Sequence, residues 1–319
     1  MKVLLTGGAG FIGSHLAERL LAGGDEVICL DSFDDFYDPA IKQRNIERAL
    51  AHPKYTLVTG DILDRELLEH VFERHGGIGC VAHLAAYAGV RPSIERPESY
   101  QRVNIEGTLN LLERARIHEV PRFVFASSSS VYGGRTDVPF RETDDVTRPV
   151  SPYAATKVAG ETLCHAYHHL FGLAVHVLRF FTVYGPRQRP EMAIHLFASR
   201  MLRGRPLRLF GDGKSRRDYT YIDDVVAGVA ASIERCAGFE VLNLGNSSST
   251  ALDELAALLG RRLGLEPVIE LEPEQPGDVP LTFADISRAE RILGYRPRVD
   301  IADGIDRFCA WLEEKRRAG

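Results

Sequence analysis

The sequence predicts an α/β protein: a doubly wound parallel sheet followed by a smaller C-terminal α/β lobe. Short apolar runs alternate with longer amphipathic segments through the first half of the chain. The runs are apolar throughout, as parallel strands covered by helices on both faces must be. After about Phe181 the alternation becomes irregular and Pro/Gly-bearing loops interrupt it. In order, the predicted strands are Val3–Thr6, Glu26–Leu30, Tyr55–Thr59, Cys80–Leu84, Arg122–Ser127 and Ala174–Phe180. Between them, Phe11–Leu21, Pro39–Leu50, Asp64–Arg74, Glu98–His118 and Tyr153–Phe171 have helical length and apolar spacing. Five further helices are expected beyond, at Glu191–Leu202, Asp223–Glu234, Leu252–Leu263, Ile286–Leu293 and Ile301–Lys315.

The 319 residues suffice for two domains. We expect the sheet domain at residues 1–181, with about 216–245 returning to it, and the lobe at 182–319. Hydrophobic residues at 45% and charged residues at 26% exclude disordered and fibrous architectures. A net charge of −5 without a basic block disfavours nucleic acid as a partner, while a small anion needs only a few placed arginines. Cys29, Cys80, Cys164, Cys236 and Cys309 form no C-x-x-C pair and are odd in number, which argues against disulfides or a zinc site and for a reducing compartment. None of the 11 histidines falls in a cluster with metal-ligand spacing, so no metal is expected. The apolar start is too short for a signal segment, and no run approaches the roughly 18–20 residues of a membrane span. A cytoplasmic protein with no membrane contact is the expectation.

Directly after the first strand, Gly7, Gly10 and Gly13 are spaced G-x-x-G-x-x-G, and Phe11 and Ile12 open the helix that follows. Glycine there permits a tight turn and close approach of the backbone to a pyrophosphate, and the helix N-terminus offers free N–H groups. Asp31 ends the second strand, placed to accept hydrogen bonds from an adenosine ribose. No arginine adjoins it to receive a 2′-phosphate, which favours NAD over NADP on a Rossmann-type sheet. Asp61 and Ile62 after the third strand, and Leu84, Ala85 and Ala86 after the fourth, face the same crevice. Asp61 suits either the adenine amino group or the cap of the helix near Asp64.

Tyr153 and Lys157 stand four apart on a predicted helix and so share a face. A phenol ionises near pH 10, so a tyrosine base at neutral pH needs its anion favoured by about three units, or about 4 kcal/mol. An ammonium about 6 Å away at an effective dielectric near 20 supplies roughly 2.8 kcal/mol, and an oxidised nicotinamide adds more. A serine from the run Ser127–Ser130 would relay or orient the substrate proton. Register alone leaves the choice among the four open.

The combination of Gly7, Gly10, Gly13, Ser128, Tyr153 and Lys157 closely resembles the extended short-chain dehydrogenase/reductase family, in its nucleotide-sugar branch. The resemblance covers essentially the whole chain and includes Asn104, Val131-Tyr132-Gly133, Tyr184-Gly185-Pro186-Arg187, Arg217-Asp218-Tyr219 and Pro276-Gly277-Asp278. Alignment on Val131-Tyr132-Gly133 favours Ser128 as the relay. The resemblance implies that Asn104 belongs to the cofactor site, that Arg217 meets a diphosphate and Asp278 a nucleotide ribose. It also implies a UDP-sugar substrate and a homodimer formed by helices Glu98–His118 and Tyr153–Phe171.

Within that branch, the acidic residues that 4,6-dehydratases and UDP-glucuronate decarboxylases carry before Val-Tyr-Gly are replaced by Ser129 and Ser130. The segments Asp35–Pro39, Ala88–Arg91 and Tyr184–Ile194 are similar to those of UDP-glucuronate 4-epimerases, and Thr182 stands where UDP-galactose 4-epimerases typically have Asn. The expected reaction is therefore NAD-dependent 4-epimerisation of a UDP-uronic acid, UDP-glucuronate to UDP-galacturonate. Ser129, Ser130, Thr182 and Arg189 are expected to clamp its carboxylate. A UDP-glucose/UDP-galactose 4-epimerase is the alternative, a UDP-glucuronate decarboxylase a lesser one. A non-catalytic NAD-binding regulator is disfavoured because Tyr153, Lys157 and the hydroxyl are all present.

Overall fold

A computed structural model describes residues 1–318; the last position of the expected lobe, 319, lies outside the described residues. Seven parallel strands form the main sheet. Six of them are β1 (Lys2–Thr6), β2 (Glu26–Asp31), β3 (Tyr55–Thr59), β4 (Cys80–His83), β5 (Arg122–Ser128) and β6 (Ala174–Phe180). Phe239–Leu244 completes it at the edge beside β6, in register Phe239 with Val175 through Leu244 with Phe180. The order runs Phe239–Leu244, β6, β5, β4, β1, β2, β3, so the chain reverses its direction of travel between β1 and β4.

Successive residues of each strand enter two different cores. Val3 and Leu5 pack with helices Phe11–Ala22 and Ile222–Arg235 on one face, while Leu4, Val81 and Phe123 pack with helices Arg65–Arg74 and Gly107–Ile117 on the other. This is why the strands read as continuous apolar runs. Helix Pro152–Phe171 approaches β5 closely at Gly160, where a Cβ would lie 2.4 Å from the Phe125 ring.

The helix expected over Glu98–His118 is interrupted. Pro97–Gln101 and Gly107–Ile117 are joined by a π-helical turn, Arg102–Glu106, that carries the buried Asn104. An extra residue in one turn rotates the helix face without ending it, and periodicity averaged over 21 positions hides it. Three two-stranded ribbons shape the other lobe: Thr182–Tyr184 with Tyr219–Tyr221, Leu207–Phe210 with Ile269–Glu272, and Arg216–Arg217 with Thr250–Ala251. Among the described residues no helix is long and apolar enough to cross a membrane.

Candidate active site

The reversal between β1 and β4 opens a crevice at the carboxyl ends of the strands, where open α/β sheets bind ligands. Every strand from β1 to β5 delivers a residue to its wall: Gly7, Asp31, Asp61, Leu84 and Ser128. The glycine loop leaves no room for side chains. Gly7 adopts φ +70° and a Cβ there would lie 2.7 Å from the Ala85 nitrogen; a Cβ on Gly13 would lie 2.2 Å from the Gly7 carbonyl. Helix Phe11–Ala22 starts at Gly10 with no side-chain cap, so its first N–H groups remain available beside Phe11, Ile12 and Gly13 in the crevice wall. The Asp31 carboxylate is buried and accepts from the Ala9 and Phe33 N–H groups at 2.9 Å each, which orients it toward the crevice. These features fit an adenine dinucleotide whose pyrophosphate lies over the helix start.

Asp64, not Asp61, caps helix Arg65–Arg74, accepting from Leu67 N–H. Asp61 accepts from Leu63 N–H and lines the crevice with Ile62, Leu84, Ala85 and Ala86. Asn104 differs from expectation: it is not in the crevice wall. Its amide accepts from Tyr87 N–H and donates to the Tyr87 carbonyl and to Thr156 Oγ1, at 2.8–3.0 Å, which ties the loop after β4 to the helix of Tyr153. The π-helical turn is what aims it inward.

Tyr153 and Lys157 both face the crevice from helix Pro152–Phe171, whose N-cap Ser151 accepts from Ala154 N–H. The Lys157 ammonium lies 6.0 Å from the Tyr153 ring centre and donates to the Ala126 carbonyl at 2.8 Å. Burial pushes its pKa down to about 8, against the pull of Cys164 and Glu161. Burial pushes the Tyr153 phenol up, while a hydrogen bond from Ser128 and the Arg189 guanidinium draw it down. Arg189 thus acts as a cation on this phenol, a role its loop position does not announce. Among the four serines, Ser127 is buried and donates to Glu161, and Ser128 faces Tyr153. His83, beneath Lys157, is held neutral, its pKa pushed down to about 3 by burial and by that ammonium.

The expected carboxylate clamp is distributed over two cavities. Arg189 lines the dinucleotide crevice, lies 5.6 Å from the Phe36 ring centre and pairs with Glu191 at 2.9 Å. Thr182 lines an adjoining cavity with Glu191, Arg217 and Asp278. Ser129 and Ser130 stand outside both walls, because β5 ends at Ser128 and the chain coils into the short turn Ser129–Tyr132. Ser130 Oγ instead accepts from Ser128. In the second cavity Asp278 pairs with Arg91 at 2.8 Å, and Arg91 lies 4.1 Å from the Phe210 ring centre. Burial and the neighbouring Arg91 cation lower the Arg217 pKa. Arg91, Arg208 and Arg217 all face this one cavity, which suits a diphosphate. Arg91 and the crevice-lining aromatics Phe36, Tyr37 and Tyr87 received no role from sequence reasoning, although the first three lie in the segments that carried the family resemblance.

A dinucleotide crevice whose far end holds a phenol, an ammonium and a hydroxyl defines a nicotinamide-dependent enzyme of the short-chain dehydrogenase/reductase type. Residues 3–245 match the NAD dependent epimerase/dehydratase family, and the chain belongs to it. Among its relatives, UDP-glucuronate 4-epimerase 4 of Arabidopsis thaliana is 43% identical, over 98% of this chain and 75% of that one. The UDP-glucuronate 4-epimerase of Thermodesulfobacterium geofontis is 40% identical over 98% of this chain and 96% of its own. The crystal structure of UDP-glucuronic acid 4-epimerase from Bacillus cereus, in complex with UDP-glucuronic acid and NAD, superposes with a TM-score of 0.93 at 36% identity, covering 99% of this chain and 100% of that one.

The ribose contact is testable by itself. Replacing Asp31 by Ala removes two charge-assisted acceptors, worth about 1.5–3 kcal/mol each. NAD affinity measured by calorimetry is expected to fall at least about 10-fold, and the fraction of purified protein carrying nucleotide to fall with it.

Proposed function

We propose that this chain is an NAD-dependent isomerase that interconverts UDP-glucuronate and UDP-galacturonate at C4. The observation that carries the uronate assignment is Arg189, a guanidinium in the wall of the crevice that holds Tyr153 and Lys157, where it pairs with Glu191. In the cycle, the Tyr153 phenolate takes the proton of the 4-hydroxyl, with Ser128 hydrogen-bonded to both oxygens and Lys157 stabilising the phenolate. NAD, which the glycine loop and Asp31 would hold, would supply the reversible hydride acceptance. The 4-keto sugar turns within the cavity, and Tyr153 returns the proton to O4 of the inverted sugar.

The keto intermediate carries its carboxylate β to a carbonyl and loses CO₂ when that C–C bond aligns with the π system. Arg189 prevents this by holding the carboxylate out of alignment through a charge-assisted bond. Thr182 is assigned a flanking neutral donor, the role expected of Ser129 and Ser130 being dropped because both stand outside the cavity walls, and Arg217 and Asp278 are assigned the diphosphate and ribose of UDP. In this assignment residues 1–181 with the returning segment form the cofactor domain, and the sugar nucleotide is held by the remainder together with Arg91 and Arg217.

Incubation with UDP-glucuronate and no added reductant, followed by chromatography and CO₂ trapping, tests the assignment. UDP-galacturonate without CO₂ is the expected product. UDP-pentose with CO₂ would overturn the protective role of Arg189, and no turnover would move the substrate to a neutral UDP-sugar.

Exposed Ile117, Leu170 and Phe171 on the two outer helices support a homodimer. Light scattering should give twice 35.4 kDa. Five buried free cysteines support a reducing compartment, the cytoplasm.

A further inference from the structure

We infer that Glu161, which touches neither cavity, is a positioning residue for the catalytic trio: its buried carboxylate sets where β5 ends and so where Ser128 and Lys157 stand. Tyr153, Lys157 and Glu161 follow one another at four-residue spacing along helix Pro152–Phe171, on one face. Glu161 receives a bidentate pair from Arg179 on β6, Nε to Oε1 at 3.0 Å and Nη2 to Oε2 at 2.7 Å, and the Ser127 hydroxyl donates to the same Oε1. One residue earlier on β5, the Ala126 carbonyl is held by Lys157. Consecutive residues of one strand are therefore tied to consecutive turns of one helix, and the next residue, Ser128, is the one aimed at Tyr153.

The far side of the pair is equally fixed. Arg179 lies 4.8 Å from the Tyr132 ring centre, Tyr132 donates to Asn243 at 2.6 Å, and Asn243 donates to the Phe140 and Asp285 carbonyls. A buried ion pair is a poor source of stability, since apolar residues of equal volume do as well. What it provides is direction, because a bidentate carboxylate admits one arrangement of its partners. Its anion also acts on Lys157, which faces Tyr153, Glu161 and Cys164 on its own helix and the neutral His83 on β4.

The inference rests on Tyr153 and Lys157 performing the chemistry, so wild-type turnover of UDP-glucuronate is measured alongside. Glu161→Gln strands the Arg179 charge in the interior, so the double variant Glu161→Gln/Arg179→Gln, which removes both charges, and Ser127→Ala, which cuts only the tie to β5, are measured in parallel. With NAD content and KM unchanged, kcat is expected to fall between about 10- and 100-fold, the loss that a misplacement of roughly 1 Å causes. In Glu161→Gln the alkaline limb of the pH–rate profile should also move to lower pH, because Lys157 loses a neighbouring anion while Arg179 keeps its charge; in the double variant, which removes both charges, and in Ser127→Ala it should stay. A double variant that retains NAD with wild-type kcat overturns the inference. So does a fall in kcat matched by NAD loss, with the limb unmoved in Glu161→Gln. If the double variant does not fold, Ser127→Ala decides alone: wild-type kcat refutes the positioning role and a fall with intact NAD supports it. An inactive wild type would instead refute the substrate assignment.

Discussion

Replacing Tyr153 by Phe is expected to lower kcat by about 10²- to 10⁴-fold, the span of a positioned general base, with the fold and NAD content intact. The substitution removes one hydroxyl and leaves the ring against Tyr100, at 6.2 Å between centres and near perpendicular. The pH dependence of the parent enzyme checks the assignment from a second side. The phenol must lose its proton to act; burial opposes this, Ser128 and Arg189 favour it, and the positive nicotinamide of bound NAD would favour it further, so in the holoenzyme the rate falls as pH is lowered through the acid limb. Lys157 must keep its proton, and burial pushes its pKa down to about 8, so the rate falls again as pH rises past that value. A bell-shaped profile is expected in kcat. A residual rate in Tyr153→Phe with the parent's acid limb would assign the proton to another group.

Replacing Arg189 by Ala is expected to change what the enzyme makes as well as how fast. A charge-assisted hydrogen bond contributes about 1.5–3 kcal/mol, so the ratio of retained to lost carboxylate should shift by roughly 10- to 100-fold toward CO₂ and UDP-pentose. Because the same guanidinium also draws the Tyr153 phenol down, the acid limb should move to higher pH in the variant. The two effects separate experimentally: the product ratio, taken at any one pH, reports the carboxylate contact, while the limb reports the phenol. An unchanged product ratio with a shifted limb would leave Arg189 as an electrostatic partner of Tyr153 and return the carboxylate to Thr182.

The loop that presents Arg189 is anchored on the cofactor side. Arg187, at φ +65°, donates to Glu18 and Ser14 on helix Phe11–Ala22, and Pro186 O is bonded to His15 at 2.9 Å. Gln188 is buried, with its amide bonded to the Val183 carbonyl and to His195 N–H. A non-glycine residue held at positive φ requires such support, and here the support comes from the helix whose start meets the pyrophosphate.

The sequence by itself determined six of the seven strands of the sheet, the glycine loop with Asp31, and the spacing of Tyr153 and Lys157, because each depends on local chemistry. Apolar runs make buried strands, glycine is demanded where a Cβ would strike the next strand, and four residues of helix carry two side chains to one face. What only the tertiary structure decided are the relations across the chain. It turned Asn104 from a cofactor contact into a brace between Tyr87 and Thr156, through a π-helical turn that periodicity does not register. It put Arg189 in the wall of the same crevice as a phenol 36 residues away in sequence, and it left Ser129 and Ser130 outside that wall in a tight turn. It also joined Glu161 to Arg179 and Ser127 within the interior. Charges act through space at distances the chain closes only by folding, so which cation tunes which acid is not written in spacing, and burial, the first cause of the shifts at Tyr153 and Lys157, exists only once the two cores have closed around the sheet.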